Sequence, residues 1–167
     1  MSRNLLSEFM YHLDADGEMD LGHAPDDVIE WIESLGLPMP IRRFLQWDWA
    51  QTDGQIGHIR IMSSSGVRTN DWSDAFTAQK LLWLGSAPNG DFFVINFSDD
   101  RCIPGFLTHA ECWDGNGGMR SDLVSYFQPI ARSMQSLLYR FAEGRYIPTD
   151  YYAAKDFNKF LETETNT

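Results

Sequence analysis

The chain has 167 residues, the size of one ordinary domain, and 43% of them are hydrophobic and 14% aromatic, enough for a single packed core. That supply excludes wholesale disorder, and no apolar run approaches the ~20 residues that a membrane-spanning helix needs. Acids outnumber bases 24 to 13, for a formal net charge of -11, a field that repels nucleic acid and anionic membrane and speeds association with a basic protein.

In chain order, Leu5, Leu6, Phe9 and Leu13 form one short helical face, which Asp14-Ala15-Asp16-Gly17 breaks. Ala24-Pro25-Asp26-Asp27 is a helix start, with proline in the first turn and acids at the positive end of the dipole. Val28, Ile29, Ile32 and Leu35 supply its apolar stripe, and Gly36 ends it. Pro38 and Pro40 restart the chain into a second short helix carrying Ile41, Phe44 and Leu45. After the Asp53-Gly54 turn, Ile56 to Met62 reads as a strand and residues 63 to 75 as a polar loop.

Leu81 to Leu84 is a short apolar strand. Pro88-Asn89-Gly90-Asp91 is the clearest turn in the chain, because Asn-Gly tolerates the positive φ of a tight hairpin. Phe92 to Phe97 follows as a strand, Ser98 to Arg101 turns, and Ile103 to His109 is the next strand, making an antiparallel meander. Beyond the glycine-rich loop Trp113 to Gly118, the spacing of Ile130, Met134, Leu137, Leu138 and Phe141 predicts a helix capped by Gly144. A last amphipathic stretch from Tyr152 to Leu161 offers Phe157, Phe160 and Leu161. The fold expected is α+β, an antiparallel-rich central sheet of about four to six strands flanked by helices. Residues 1–24 read as an acidic N-terminal segment, 25–161 as a single domain and 162–167 as a frayed tail.

Leu37-Pro38 with Phe44-Leu45, the block Leu81 to Asn96 (LLWLGSAPNGDFFVIN), the strand running to His109-Ala110-Glu111 and the segment Ala131 to Leu138 together resemble the SUKH superfamily. That superfamily includes fungal cell-wall regulator domains of the Smi/Knr type and bacterial proteins that neutralise polymorphic or contact-dependent toxins. The similarity spans roughly residues 25 to 142. The chain departs from the pattern at Asn96, where members commonly carry an acid, and in the longer polar segment from Ser63 to Lys80. The resemblance implies a sheet flanked by helices, no cofactor, and function through a protein-binding surface. On it rests the leading expectation, an immunity protein that blocks a basic cognate toxin domain, such as a nuclease. A regulatory scaffold like the fungal members is the alternative, and an enzyme a third.

The residues themselves carry three constellations. Tyr11 to His23 aligns with a calcium loop at its centre (Asp14, Asp16, Gly17), but His12 and His23 stand where carboxylates belong, so it reads as a solvated acidic turn with no metal. His109 and Cys112 could be imagined as a base and a thiolate nucleophile, yet no third member or oxyanion motif accompanies them, and no catalytic residue is assigned. Cys102 and Cys112 are too few for a disulfide framework and read as reduced thiols. Met1 to Met10 has no secretory pattern, and the cytoplasm is the expected compartment.

The third constellation is aromatic and acidic: Trp47, Asp48 and Trp49, then Asp99 and Asp100, then Glu111, Trp113 and Asp114. Large rings beside carboxylates suit the anchoring and steering of a basic partner. The charge is also lopsided. Residues 1 to 40 hold nine acids and one base, a net of -8, against -3 for the other 127 residues. Asp14, Asp16, Asp20, Asp26 and Asp27 are therefore steering candidates, while Trp31 and Trp83 are expected in the core.

Overall fold

The computed structural model describes residues 4–161, leaving aside the side chains of Lys159 and Phe160. The tail 162–167, expected to fray, lies outside the described residues. Among the described residues, seven α-helices and two antiparallel sheets make up an α+β fold. Helix α1 (Leu5–Leu13) leads through β1 (Leu21–Gly22) to α2 (Asp26–Ser34) and α3 (Met39–Trp47), and β2 (Trp49–Ala50) pairs back with β1. Six strands then form the main sheet in sequence order: β3 (Gly54–Ile56), β4 (Ile59–Ile61), β5 (Leu81–Ser86), β6 (Phe92–Asn96), β7 (Ile103–Leu107) and β8 (Phe127–Pro129). Helices α4 (Ser64–Thr69) and α5 (Ser73–Ala78) interrupt the strands, and α6 (Met134–Ala142) and α7 (Tyr151–Leu161) follow them.

Both faces of β6 are covered, which is why it reads as an unbroken apolar run rather than an alternating one. Phe93 and Ile95 point to the larger core, with Leu82, Leu84 and Phe106, under α1, α2, α3 and α6. Phe92 and Val94 point to a smaller core with Leu81, Leu107, Phe76 of α5, Cys112 and Leu123. The N-terminal segment is built into the larger core through Leu6, Met10, Met19 and Ala24, and α1 packs along α6.

Three expectations are corrected. Ile56 to Met62 is a hairpin, not one strand: Ile56 pairs with Ile59 across Gly57 and His58, and Gly57 takes φ +59°. Ile59 and Ile61 share a face in both arrangements, whereas Ile56, three residues before Ile59, would face away from them in a single strand and joins their side only across the hairpin. Residues 63 to 75 hold two short helices rather than a loop. The Ser63 hydroxyl accepts from the Gly66 amide to cap α4, Asn70 closes its far end by donating to the Gly66 and Val67 carbonyls, and Val67 and Phe76 each bury one apolar side chain. The helix expected from Ile130 starts at Met134, where Ser133 caps it, and Ile130 is buried ahead of it beside the unforeseen strand β8.

The turn between β5 and β6 forms as expected, with Gly90 at φ +91° and the Ala87 amide donating to the Asp91 carbonyl at 2.8 Å. Asp91 does more than end it. Its side chain is 1% exposed. Oδ1 accepts from the His109 amide at 3.1 Å and pairs with His109 Nδ1 at 2.8 Å. Oδ2 accepts from the Asn89 side chain at 2.9 Å and from the Tyr151 amide, the first of α7, at 3.0 Å. Burial pushes this carboxyl up, but the donors, led by the Tyr151 amide, outweigh it and hold the pKa below the ordinary carboxyl value.

Both oxygens act only as acceptors, and an amide can offer only one. Asp91→Asn is therefore expected to turn an N–H toward a backbone N–H and cost about 2–4 kcal/mol in urea unfolding. Because the folded pKa is lowered, the carboxylate's contribution is complete above the unfolded value of about 3.9 and is lost as pH falls through the folded one. The acid limb of the wild-type stability curve should be shallower in the variant.

Candidate partner-binding surface

A cleft of about 660 Å3 opens where α1 runs into the outer half of the sheet. Asp14, Asp16 and Glu18, in the turn between α1 and β1, line it with Asp53, from the turn between β2 and β3. Gln55, Arg60 and Ser86 are cross-strand neighbours on one sheet face and form its floor with Trp83. The acidic turn reaches the sheet because Gly54 leaves room for Met19: a Cβ there would lie 2.2 Å from Met19 Cγ. Met19 is 2% exposed and acts as the peg of the turn.

The carboxylates differ in their engagement. Asp14 Oδ1 accepts from the Met19 amide at 3.2 Å, and Asp53 Oδ1 from the Ser63 amide at 2.7 Å. None of the four forms an ion pair among the described residues, and neither does Arg60 on the same floor. The residues that would ligate calcium in a calcium-loop reading instead divide between the last turn of α1, which holds His12, and the turn that Asp14 closes.

The aromatic and acidic set expected as one surface is dispersed over the fold. Trp47 is 45% exposed at the end of α3 and meets the ring of His23 edge-on at 4.2 Å. The Ala24 amide donates to the Gln46 carbonyl, so this pair sits beside the first turn of α2 and its exposed Asp26 and Asp27. Trp49 is corrected from surface anchor to core: it is 1% exposed, packs edge-on against Phe44, and donates its indole N–H to the Met62 carbonyl at 2.9 Å. Trp31 and Trp83, expected in the core, are partly buried. Asp20 is exposed at φ +48° just before β1 and does not line the cleft.

Asp99 and Asp100 lie in the turn that precedes β7, whereas Glu111, Trp113 and Asp114 follow its far end. Arg101 binds Asp99 through Nε and a 2.6 Å contact from Nη2, and this guanidinium holds the Asp99 carboxyl below its usual range. Asp99 thus has a local counter-charge that the cleft acids lack. Asp114 closes its own loop by accepting from the Asn116 and Gly118 amides, and Trp113 leans on Trp72 at 4.8 Å over the smaller core. Two contiguous surfaces result, the acid-lined cleft and the Trp47–His23 corner. Glu18, Asp53, Arg60 and Trp83 complete the first; they come from four separate elements, and no spacing in the chain marks them together.

His109 and Cys112 are engaged apart. His109 Nδ1 is held by Asp91, while Cys112 Sγ donates to the Thr108 carbonyl at 3.0 Å. Burial, aided by the charges of Asp91 and Glu111, pushes the Cys112 thiol up to about 12, and burial with Asp99 and Asp100 takes Cys102 up to about 11. Comparison with protein-family models, with curated proteins and with solved structures gives no match for this chain.

Both thiols are 0% exposed. A disulfide reagent at pH 8 should leave them unmodified in the native protein and titrate two thiols at once after unfolding in guanidinium; rapid native labelling would contradict the inert reading.

Proposed function

We propose that this chain is a non-catalytic protein-binding domain of the toxin-neutralising kind, which takes a basic partner against the acid-lined cleft and the Trp47 corner. The observation that carries the reading is the set of carboxylates around the cleft, Asp14, Asp16, Glu18 and Asp53, held without an ion pair among the described residues. Unpaired carboxylates around a concave surface concentrate field lines and raise the encounter rate of a cationic partner. Trp47 and His23 supply an amphipathic ring pair suited to desolvated contact beside Asp26 and Asp27. The resemblance to toxin-neutralising SUKH proteins supports the class of partner, and the basic surface of a nuclease domain is a natural complement. Inhibition on this reading is occlusion: no bond is made or broken.

The partner to test is the toxin domain encoded beside the gene. Changing Asp14, Asp16, Asp20, Asp26 and Asp27 to Asn keeps the Asp14 acceptor for the Met19 amide while removing five charges. It is expected to slow association at least tenfold at low salt, with a smaller effect at high salt. Trp47→Ala is expected to act instead on dissociation. An on-rate indifferent to the five substitutions would remove the acidic surface from the interface. Absence of binding and of protection on co-expression would remove the toxin-neutralising reading itself.

A further inference from the structure

The sequence holds two Asn-Gly pairs, Asn89-Gly90 and Asn116-Gly117. Asparagine before glycine is chemically labile, because the unhindered glycine nitrogen can reach the carbonyl carbon of the asparagine side chain. The reaction needs that carbon free to swing back, and it needs the glycine amide free to lose its proton. The fold treats the two pairs differently.

Asn89 is clamped. Its Oδ1 accepts from the Asp91 amide at 3.0 Å, and its Nδ2 donates to Asp91 Oδ2 at 2.9 Å. Asp91 is itself buried and fixed by His109 and Tyr151, so both ends of the Asn89 amide are held on a rigid partner. The Gly90 amide is engaged as well, donating to the Ala87 carbonyl at 3.0 Å.

Asn116 has none of these restraints. It stands with Gly117 in the exposed loop that a β-bridge between Trp113 and Met119 closes. Asp114 Oδ1 organises this loop by accepting from the backbone amides of Asn116 and Gly118, and the Asn116 side chain takes no part. No hydrogen bond holds that side chain among the described residues. The Gly117 amide reaches the Asp114 carbonyl only at 3.4 Å, beyond the usual range of such a bond. A Cβ at Gly117 would meet nothing within 4 Å, so no neighbour crowds the reacting nitrogen.

We infer that Asn116 is a site of spontaneous covalent modification. The Gly117 nitrogen gives up its proton to base and bonds to Asn116 Cγ. The Cγ–Nδ2 bond breaks, and the NH2 group takes up a proton and leaves as ammonia. One water opens the resulting succinimide at either carbonyl, giving aspartate or isoaspartate at position 116. Water is the sole co-reactant, and nothing is oxidised or reduced. The product adds one negative charge to a formal net of -11, in the stretch that already holds Glu111, Asp114 and the exposed Trp113. The isoaspartate form also lengthens the loop backbone by one carbon, inside the turn that Asp114 ties together.

Peptide mapping by mass spectrometry, on the full chain held native at pH 8 over days, reads the outcome. The peptide containing Asn116 is expected to gain about 1 Da, the exchange of NH2 for OH, and to separate into two products. The Asn89 peptide should convert at least tenfold more slowly. Gly117→Ala should slow the change at Asn116 at least tenfold, with an unfolding midpoint showing that the variant is folded. In the chain unfolded by guanidinium the two sites should convert at similar rates, because the Asp91 clamp is gone. An Asn116 that stays intact in the native protein overturns the inference, as does a rate unmoved by Gly117→Ala. So does an Asn89 that keeps pace with Asn116 in the native protein, or one that stays protected after unfolding.

Discussion

The buried carboxylate of Asp91 joins three parts of the chain at one point. It sits at the end of the turn between β5 and β6, receives the backbone and the ring of His109 just past β7, and receives the first amide of α7, 60 residues downstream. An isolated carboxylate in such a place would be costly to desolvate, so its four donors must all be in position before burial is favourable. That makes the site all-or-none: hairpin, strand end and helix start are assembled together or the charge is exposed. Tyr151 and Ala154 carry the start of α7 into the larger core on the same side.

From that anchor the layers follow. With β6 central and covered on both faces, the sheet is the partition between two cores, and the helices are divided unequally between them. The smaller core is closed by α5 and by the long connection from β7 to β8, where Cys112 and Leu123 are fully buried. Coverage by α5 stops short of the β3–β4 end, where Gln55, Arg60 and Ser86 leave the sheet face polar. The cleft exists because this end of the sheet is left open and the turn after α1 walls it.

How much of this was legible in the chain depends on the range of the cause. The helices beginning at Pro25 and Pro38, the strands around Asn89-Gly90 and the α+β class follow from local signals: prolines and acids at helix starts, an Asn-Gly turn, apolar runs of strand length. Helices α4 and α5 were not legible, because each buries one apolar side chain, Val67 and Phe76, rather than a stripe, and side-chain caps from Ser63 and Asn70 close only α4. Trp47 and Trp49 show why the surface was harder still. They stand two residues apart, but the chain passes from helix to strand between them, and that change of period sends one ring to solvent and the other to the core. The acid content of the cleft was visible; its geometry was not, since Asp53 and Trp83 reach it only through the tertiary fold.

The lopsided charge has a structural consequence that composition cannot express. Nine acids in the first 40 residues repel one another and would spread a free tail. Here they are fixed to a rigid frame, because Leu6, Met10, Met19, Val28 and Ile32 alternate with them and are buried in the larger core. The repulsion is therefore opposed by packing rather than relieved by motion, and the field keeps one orientation relative to the cleft. Salt bridges would have relieved it more simply, yet across this segment the one ion pair among the described residues is Glu33 with Arg42, on the helices away from the acidic turn. On the proposed function, a partner that brings its own cations would supply what the fold withholds.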